Sequence, residues 1–273
     1  MNIVAVAGRF DNLRSRHVRF LEEAAKCGPV HVALWADEAI QAREGAPPRF
    51  PERERLYLLQ SLRFVERVTL AGGTSHPDTL PPLEGTAPQL WVVDEDSDTA
   101  GKRAHAAAQG IPYRVISNEQ LRGFPVPTFV PPTPGMGRKR VMVTGCFDWF
   151  HSGHARFFEE ASALGDLYVI VGHDANIRLL KGEGHPLLAQ AERLYMVRAV
   201  RYVHQATVST GHGWLDAEPE IALIQPDAYV VNEDGDKPEK RAFCAAHGID
   251  YVVLKRIPKA GLPKRESTLL RGF

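Results

Sequence analysis

The chain has 273 residues, which exceeds the usual size of one domain, so its length predicts two compact units. Its 33 basic and 33 acidic residues balance to a net charge of zero, which argues against nucleic acid as the main partner. The 3 cysteines show no Cys-x-x-Cys spacing, so they indicate neither a disulfide framework nor a zinc site and fit a reducing cytoplasm. The first apolar run is too short for a signal or membrane segment, so we expect a cytoplasmic protein without a membrane partner.

The chain contains an internal repeat that becomes visible from its first residues. Residues 7–37 align with residues 144–174 at an offset of 137, and identical Gly, Phe, Asp and His residues recur at corresponding places. After a shift of one residue the match continues through residues 88–96 and 226–234. We therefore predict two copies of one domain, over residues 1–118 and 139–273, joined by a proline-rich linker over residues 119–138.

Short apolar runs alternate with helical patterns in each copy. In the second copy the predicted strands are Val141–Val143, Leu167–Val171, Ala228–Val231 and Tyr251–Leu254, with helices between them. Such alternation is typical of a parallel sheet with helices on both faces. The predicted fold class is α/β, with two tandem Rossmann-like, doubly wound parallel-sheet domains, and ligands of such sheets bind at the carboxyl ends of the strands.

The most informative stretch of the second copy runs from a predicted strand through a glycine turn into a helix. His151 and His154 are separated by three positions, with Gly153 between them, at the predicted helix N-terminus. Unpaired backbone N–H groups there favour an anion, so the pattern is typical of a phosphate site. A capping or packing role for either histidine is the alternative that the local pattern leaves open.

Two segments resemble signatures of the cytidylyltransferase-like nucleotidyltransferase superfamily. Residues 145–154 match its Gly-x-Phe-Asp-x-x-His-x-Gly-His pattern, and residues 265–271 resemble its Ile-Ser-Ser-Thr-x-Ile-Arg segment, with departures at Arg265 and Glu266. The resemblance implies transfer of a nucleoside monophosphate from a nucleoside triphosphate, accompanied by Mg²⁺, to a phosphate-bearing small molecule, with release of pyrophosphate.

The resemblance also assigns roles to individual residues. It implies His151, His154 and Lys181 as the catalytic residues, with a nearby phosphate favouring the protonated form of both histidines. Asp148 is expected to orient its loop or, alternatively, to meet the metal, whose other ligands are unknown. The residues expected to bind the nucleotide are Thr144, Gly145, Cys146, Phe147, Asp148, Gly153, Asn232, Ser267, Thr268 and Arg271.

The motifs are similar in enzymes that use different nucleotides. The Ser267-Thr268 segment resembles the cytidylyltransferases slightly more, so the sequence favours CTP, with an ATP-using adenylyltransferase of the sugar-phosphate or cofactor type as the alternative. A protein that binds a nucleotide without catalysis is the alternative from another class. The acceptor has no readable signature.

The first copy differs from the second at the positions that define the motif. Arg14 replaces His151 and Arg16 replaces Gly153, and no counterpart of the Ser267 segment precedes the linker. A bulky side chain in place of a glycine obstructs close approach of the backbone to a phosphate. We therefore expect the first copy to be degenerate and non-catalytic.

The repeat also predicts the oligomeric state. Two copies on one chain can satisfy internally the two-fold pairing that is common among oligomers, so a pseudo-dimeric monomer is favoured over a homodimer. Light scattering is expected to give the mass of one chain, 30.3 kDa. A mass of twice that value would contradict the prediction.

Overall fold

The structure is a computed structural model, and it describes residues 3–73, 76–85, 87–133 and 137–270. The chain divides into two compact units, Met1–Gly123 and Phe124–Phe273. None of the helices in the described parts of the chain has both the length and the apolar character that a membrane crossing requires.

The first unit contains a parallel sheet of five strands. The strands are Val4–Gly8 (β1), Val30–Trp35 (β2), Arg67–Ala71 (β3), Leu90–Asp94 (β4) and Tyr113–Ile116 (β5). Its helices are Ser15–Ala25 (α1), Asp37–Glu44 (α2), Glu52–Gln60 (α3) and Ala100–Ala108 (α4). The strand order is β3-β2-β1-β4-β5, so it reverses direction beside β1.

The second unit has the same architecture. Its strands are Arg140–Gly145 (β6), Asp166–Val171 (β7), Val203–Val208 (β8), Ala228–Asn232 (β9) and Asp250–Leu254 (β10). Its helices are Ser152–Ser162 (α5), Asp174–Lys181 (α6), Gln190–Arg198 (α7), Glu218–Ile224 (α8) and Pro238–Ala246 (α9). The order β10-β9-β6-β7-β8 is that of the first unit, and the order reverses beside β6.

These sheets confirm the predicted α/β fold class with two doubly wound parallel sheets. All four strands predicted in the second copy are present, and β8 is an additional strand that the apolar pattern did not indicate. The central strand β6 is fully buried at Val141, Met142 and Val143, as expected for a parallel sheet that is covered on both faces.

A buried arginine ties the ends of the strands together in each unit. In the second unit the Arg193 guanidinium donates to the carbonyls of Leu188 (2.9 Å), Cys146 (2.6 Å) and Gly172 (2.8 Å), and to Asp174 Oδ1 (2.7 Å). In the first unit Arg55 makes the corresponding four bonds, which end on Phe50, Arg9, Trp35 and Asp37. This guanidinium therefore belongs to the fold that both units share.

Replacing Arg193 with methionine is expected to destabilise the second unit. The change preserves much of the side-chain volume but leaves the buried Gly172 carbonyl and two half-buried carbonyls without this donor, which costs about 2 kcal/mol or more. Urea unfolding should measure this loss, with Arg201→Met as a control on an exposed arginine of the same unit. Equal stability of the two variants would contradict the structural role of Arg193.

The proline-rich segment forms no strand in its described part, and its stretch around Pro127 and Val130 packs on the second unit. The Arg198 guanidinium donates to the Pro127 carbonyl (2.9 Å), and Gln205 exchanges two hydrogen bonds with the Val130 backbone (3.0 and 2.9 Å). Residues 134–136 of the predicted linker lie outside the described residues.

Candidate active site

A cleft of about 210 Å³ opens at the carboxyl ends of β6 and β9, where the strand order reverses. This position is where ligands of open α/β sheets bind. The cleft brings together eleven of the residues that the sequence predicted for the site. They are Thr144, Gly145, Cys146, Phe147, Asp148, His151, Gly153, His154, Lys181, Asn232 and Ser267.

The two histidines of the motif form a stacked pair at the start of α5. Their ring centroids are 4.0 Å apart and their planes are inclined by 20°. His151 caps the helix, because its Nδ1 accepts a hydrogen bond from the backbone N–H of Gly153 (3.1 Å). The proton of the neutral His151 ring therefore lies on Nε2, which is buried and has no hydrogen-bond partner. His151 is thus both a capping residue and an available donor in the cleft.

Gly153 is required by the packing of this pair. A Cβ atom at this position would lie 3.0 Å from the His151 ring, so any larger residue would push the ring out of its capping position. Gly145 is similarly restricted, because a Cβ atom there would lie 2.8 Å from the Phe147 ring. Both glycines of the motif therefore serve the placement of aromatic rings around the cleft.

The surroundings of the histidine pair disfavour positive charge on it. Burial, followed by the Arg256 and Arg265 guanidinium groups, lowers the pKa of His151 to about 3. Burial also lowers the pKa of His154 well below its ordinary value, with His151, Arg256 and Lys181 acting in the same direction. Both rings are therefore neutral hydrogen-bonding groups at pH 7 in the protein alone, and their protonation would require an anion close by.

Asp148 holds the loop that closes one side of the cleft. Its two carboxylate oxygens accept the backbone N–H groups of Leu187 (2.8 Å) and Leu188 (3.0 Å). Asp11 of the first unit accepts the N–H groups of Arg49 and Phe50 in the same way (3.0 and 2.9 Å). Since this pair of hydrogen bonds occurs in both units, it fits the loop-orienting role that the sequence suggested for Asp148.

Cys146 lines the cleft but lacks the character of a nucleophile. Burial raises the pKa of its thiol above the ordinary value, which opposes formation of the thiolate. Its carbonyl accepts the Arg193 guanidinium, and the neighbouring Thr144 hydroxyl lies 2.6 Å from the Tyr229 hydroxyl. This strand end is therefore held in place by groups outside the cleft.

The second motif enters the cleft at one residue. Ser267 begins a short 3-10 turn over Ser267–Leu270, and it lines the cleft. The Thr268 side chain and Arg271 lie outside the described residues. Lys181, the last residue of α6, reaches the cleft from the opposite side, and its exposure fits a group that contacts a ligand.

Two cationic residues of the cleft escaped the sequence analysis. Arg256 donates to Asp234 Oδ2 (2.7 Å) and to the Arg265 carbonyl (3.1 Å), which fixes its guanidinium beside the histidine pair. Lys240 donates to the Gly235 carbonyl (3.3 Å), and burial lowers its pKa. Arg256 could have been found by comparing the copies, since Asn118 stands at its place in the first copy.

The described residues contain no cluster of three or more side chains suited to a metal ion. Of the carboxylates in the cleft, Asp148 is engaged by two backbone N–H groups and Asp234 by Arg256. Within the described residues this cleft therefore does not offer the free oxygen ligands that a dedicated Mg²⁺ site needs. A magnesium ion would fit here as part of a metal–triphosphate substrate.

A comparison with known protein families identifies the second unit, which contains this cleft. A family model described as cytidylyltransferase-like matches residues 142–271. The chain is 38% identical over 126 residues to an FAD synthase of Thermococcus kodakarensis, and the match covers 44% of this chain and 79% of that protein. The chain belongs to the cytidylyltransferase-like nucleotidyltransferase family. The resemblance seen in the sequence is thereby confirmed for the second unit.

Another relative and a solved structure are also similar to part of the chain. The bifunctional protein HldE of Desulfatibacillum aliphaticivorans is 31% identical over 106 residues, which cover 38% of this chain and 21% of that protein. Among solved structures, a lipopolysaccharide core biosynthesis protein from Thermoplasma volcanium matches 48% of this chain and 100% of its own at 24% identity, with a TM-score of 0.38.

Proposed function

We propose that the second unit transfers a nucleoside monophosphate from a nucleoside triphosphate to a phosphate-bearing small molecule and releases pyrophosphate. The observation that supports this most strongly is the stacked histidine pair, whose neutral, desolvated rings meet the N-terminus of α5 in a cleft that also holds Lys181 and Arg256. Residues 139–273 are the catalytic domain in this proposal, and residues 1–118 are a degenerate copy.

The proposed reaction needs no nucleophile from the protein. An oxygen of the acceptor phosphate forms a bond to the α-phosphorus while the bond from that phosphorus to the pyrophosphate oxygen breaks, and the electron pair leaves with the pyrophosphate. The protein holds these three atoms in line and neutralises the charge on the surrounding oxygens.

The residues divide this work by their chemistry. His151 donates from Nε2 to a phosphate oxygen, and His154 contacts the same group from the next turn of the helix. Lys181 and Arg256 supply the positive charge from opposite sides, and Ser267 donates to the β- or γ-phosphate. Thr144, Gly145, Cys146 and Phe147 line the nucleoside, with Asn232 as a contact for the base.

We propose ATP as the first candidate donor. Two relatives that the chain matches over 79% and 77% of their length are named FAD synthase, and FAD carries an adenosine monophosphate half. CTP is the second candidate, because the Ser267-Thr268 segment resembles the cytidylyl enzymes. The acceptor in either case is a phosphorylated small molecule.

A thermal-melt series with ATP, CTP, GTP and UTP, each with magnesium, tests the proposal. A ligand that binds only the native state raises the midpoint, so no acceptor needs to be known. We expect a shift with ATP that is lost in the double variant His154→Ala with Lys181→Ala. A shift with CTP alone would select the second candidate. The absence of a shift with every nucleotide would overturn the proposed function and favour a non-catalytic protein.

A further inference from the structure

The first unit also has a cleft at the reversal of its strand order. It has a volume of about 350 Å³ and lies at the carboxyl ends of β1 and β4, which is the position of the catalytic cleft in the second unit. Loss of the motif in this copy has therefore not closed the site. What has changed is the chemistry of its walls.

The part of the cleft that suits phosphate has been lost. Glu44 stands at the end of α2, where Lys181 stands at the end of α6, and it pairs with Arg9 (2.6 Å). Arg16 stands at the position of Gly153 and forms an ion pair with Asp96 (2.6 Å). This ion pair corresponds to the one between Arg256 and Asp234 in the second unit. A polyphosphate in this cleft would meet a carboxylate where the second unit offers a lysine.

The part of the cleft formed by the strand ends has been kept. Phe10 has the left-handed backbone of Phe147, with φ of 43° against 51°. His17 stands at the place of His154, and Lys102 donates to the Ser97 carbonyl as Lys240 does to that of Gly235. The pKa of His17 is lowered, mainly by burial, which keeps its ring neutral.

Aromatic side chains line this cleft, of which Phe10, Phe20 and Trp91 are buried, while the Arg43 guanidinium lies over one face of the Trp35 ring (4.0 Å). Trp35 stands where the second unit has Gly172. The Asp94 carboxylate replaces Asn232 at the end of β4. Its Oδ1 accepts the Ser97 N–H (2.9 Å), so Oδ2 and the second lone pair of Oδ1 can accept hydroxyl or N–H donors of a ligand. Aromatic rings beside the Asp94 carboxylate suit a heteroaromatic ring that bears a sugar diol.

We propose that the cleft of the first unit binds an uncharged nucleoside, with its base against the aromatic wall and a pair of its donors on Asp94. The inference rests on the proposed function in one respect, which is that the cleft of the first unit corresponds to the nucleotide-binding cleft proposed for the second. It makes the first unit a sensor or store of a nucleoside without phosphates, and the second unit the site of transfer.

Calorimetric titration of the full chain with adenosine, cytidine, guanosine and uridine tests this proposal. We expect at least one nucleoside to bind, and Asp94→Asn to weaken its binding about tenfold through loss of a charge-assisted bond. Asp98→Asn is the matched control, because Asp98 lies on the same turn but faces Arg103 and Tyr113. The double variant His154→Ala with Lys181→Ala should leave nucleoside binding unchanged.

The outcomes separate the two clefts. Absence of binding by all four nucleosides would overturn the inference, as would nucleoside binding that Asp94→Asn leaves unchanged. Glu44→Lys in that double variant should create affinity for the corresponding triphosphate. Wild-type nucleoside binding without any melt shift by a triphosphate would uphold the inference and reject the proposed function.

Discussion

Replacing His154 with alanine is expected to lower kcat of the proposed transfer by about a thousandfold. The neutral ring is half-buried and stacked on His151, with its Nδ1 shielded from solvent, so water weakens its interactions with the reacting phosphate only in part. Removal of one preorganised donor from such a site typically costs about 10²–10³ in rate. We expect Lys181→Ala to have an effect of similar size, since both groups act on charge that develops during the transfer.

The controls for these variants lie on the same unit. His204 on β8 and Lys139 before β6 are exposed and lie outside the cleft, so His204→Ala and Lys139→Ala should retain wild-type turnover. Pyrophosphate release measures the rate, and thermal melts show whether each variant is folded. Turnover of His154→Ala within threefold of wild type would remove the histidine pair from the mechanism.

The repeat made most of the architecture predictable. Each copy confirms the pattern of the other, and apolar runs such as Val141–Val143 and Leu167–Val171 mark strands that are buried on both faces. β8 gave no such signal, because it lies at the edge of the sheet and mixes buried residues such as Val203 and Ala206 with the exposed His204. Edge strands satisfy half of their contacts with solvent, so their composition is less apolar.

The cleft was predictable where its residues are close together in the sequence. The residues from Thr144 to His154 are presented by one strand end and one helix start, so a local pattern reveals them. Arg256 was not found, because its position depends on Asp234, which is 22 residues away and on another element. A local sequence pattern reveals the groups at a strand end. The position of a cationic side chain such as Arg256, in contrast, is set by tertiary contacts that the local sequence does not show.

The comparison of the two units separates residues that serve the fold from residues that serve the site. Arg193 and Asp148 keep their partners in both units, as Arg55 and Asp11 do, so these residues stabilise the shared framework. By contrast, the position of Lys181 is occupied by Glu44 in the first unit, so the charge of the side chain is reversed there. Residues of the second kind are free to vary once transfer is no longer required, and this divergence is what we expect of a degenerate copy.

The pKa of His151 predicts that the second unit loses stability in mild acid. Its value of about 3 in the folded protein lies below the ordinary 6.5 of an unfolded histidine, so the unfolded chain binds the proton first. The stabilisation is fully present above pH 6.5 and falls by about 1.4 kcal/mol for each pH unit below it. His154 acts in the same direction, because burial lowers its pKa as well.

A matched variant isolates this contribution. His151→Asn keeps an acceptor for the Gly153 N–H but has no titratable group, so its unfolding free energy should depend less on pH. Between pH 7.5 and 4.5 we expect wild type to lose about 3 kcal/mol more than the variant in urea unfolding. Parallel curves would mean that the ring titrates normally. Its availability as a neutral donor, on which the transfer mechanism depends, would then be lost below pH 6.5, because an ordinary histidine is charged there.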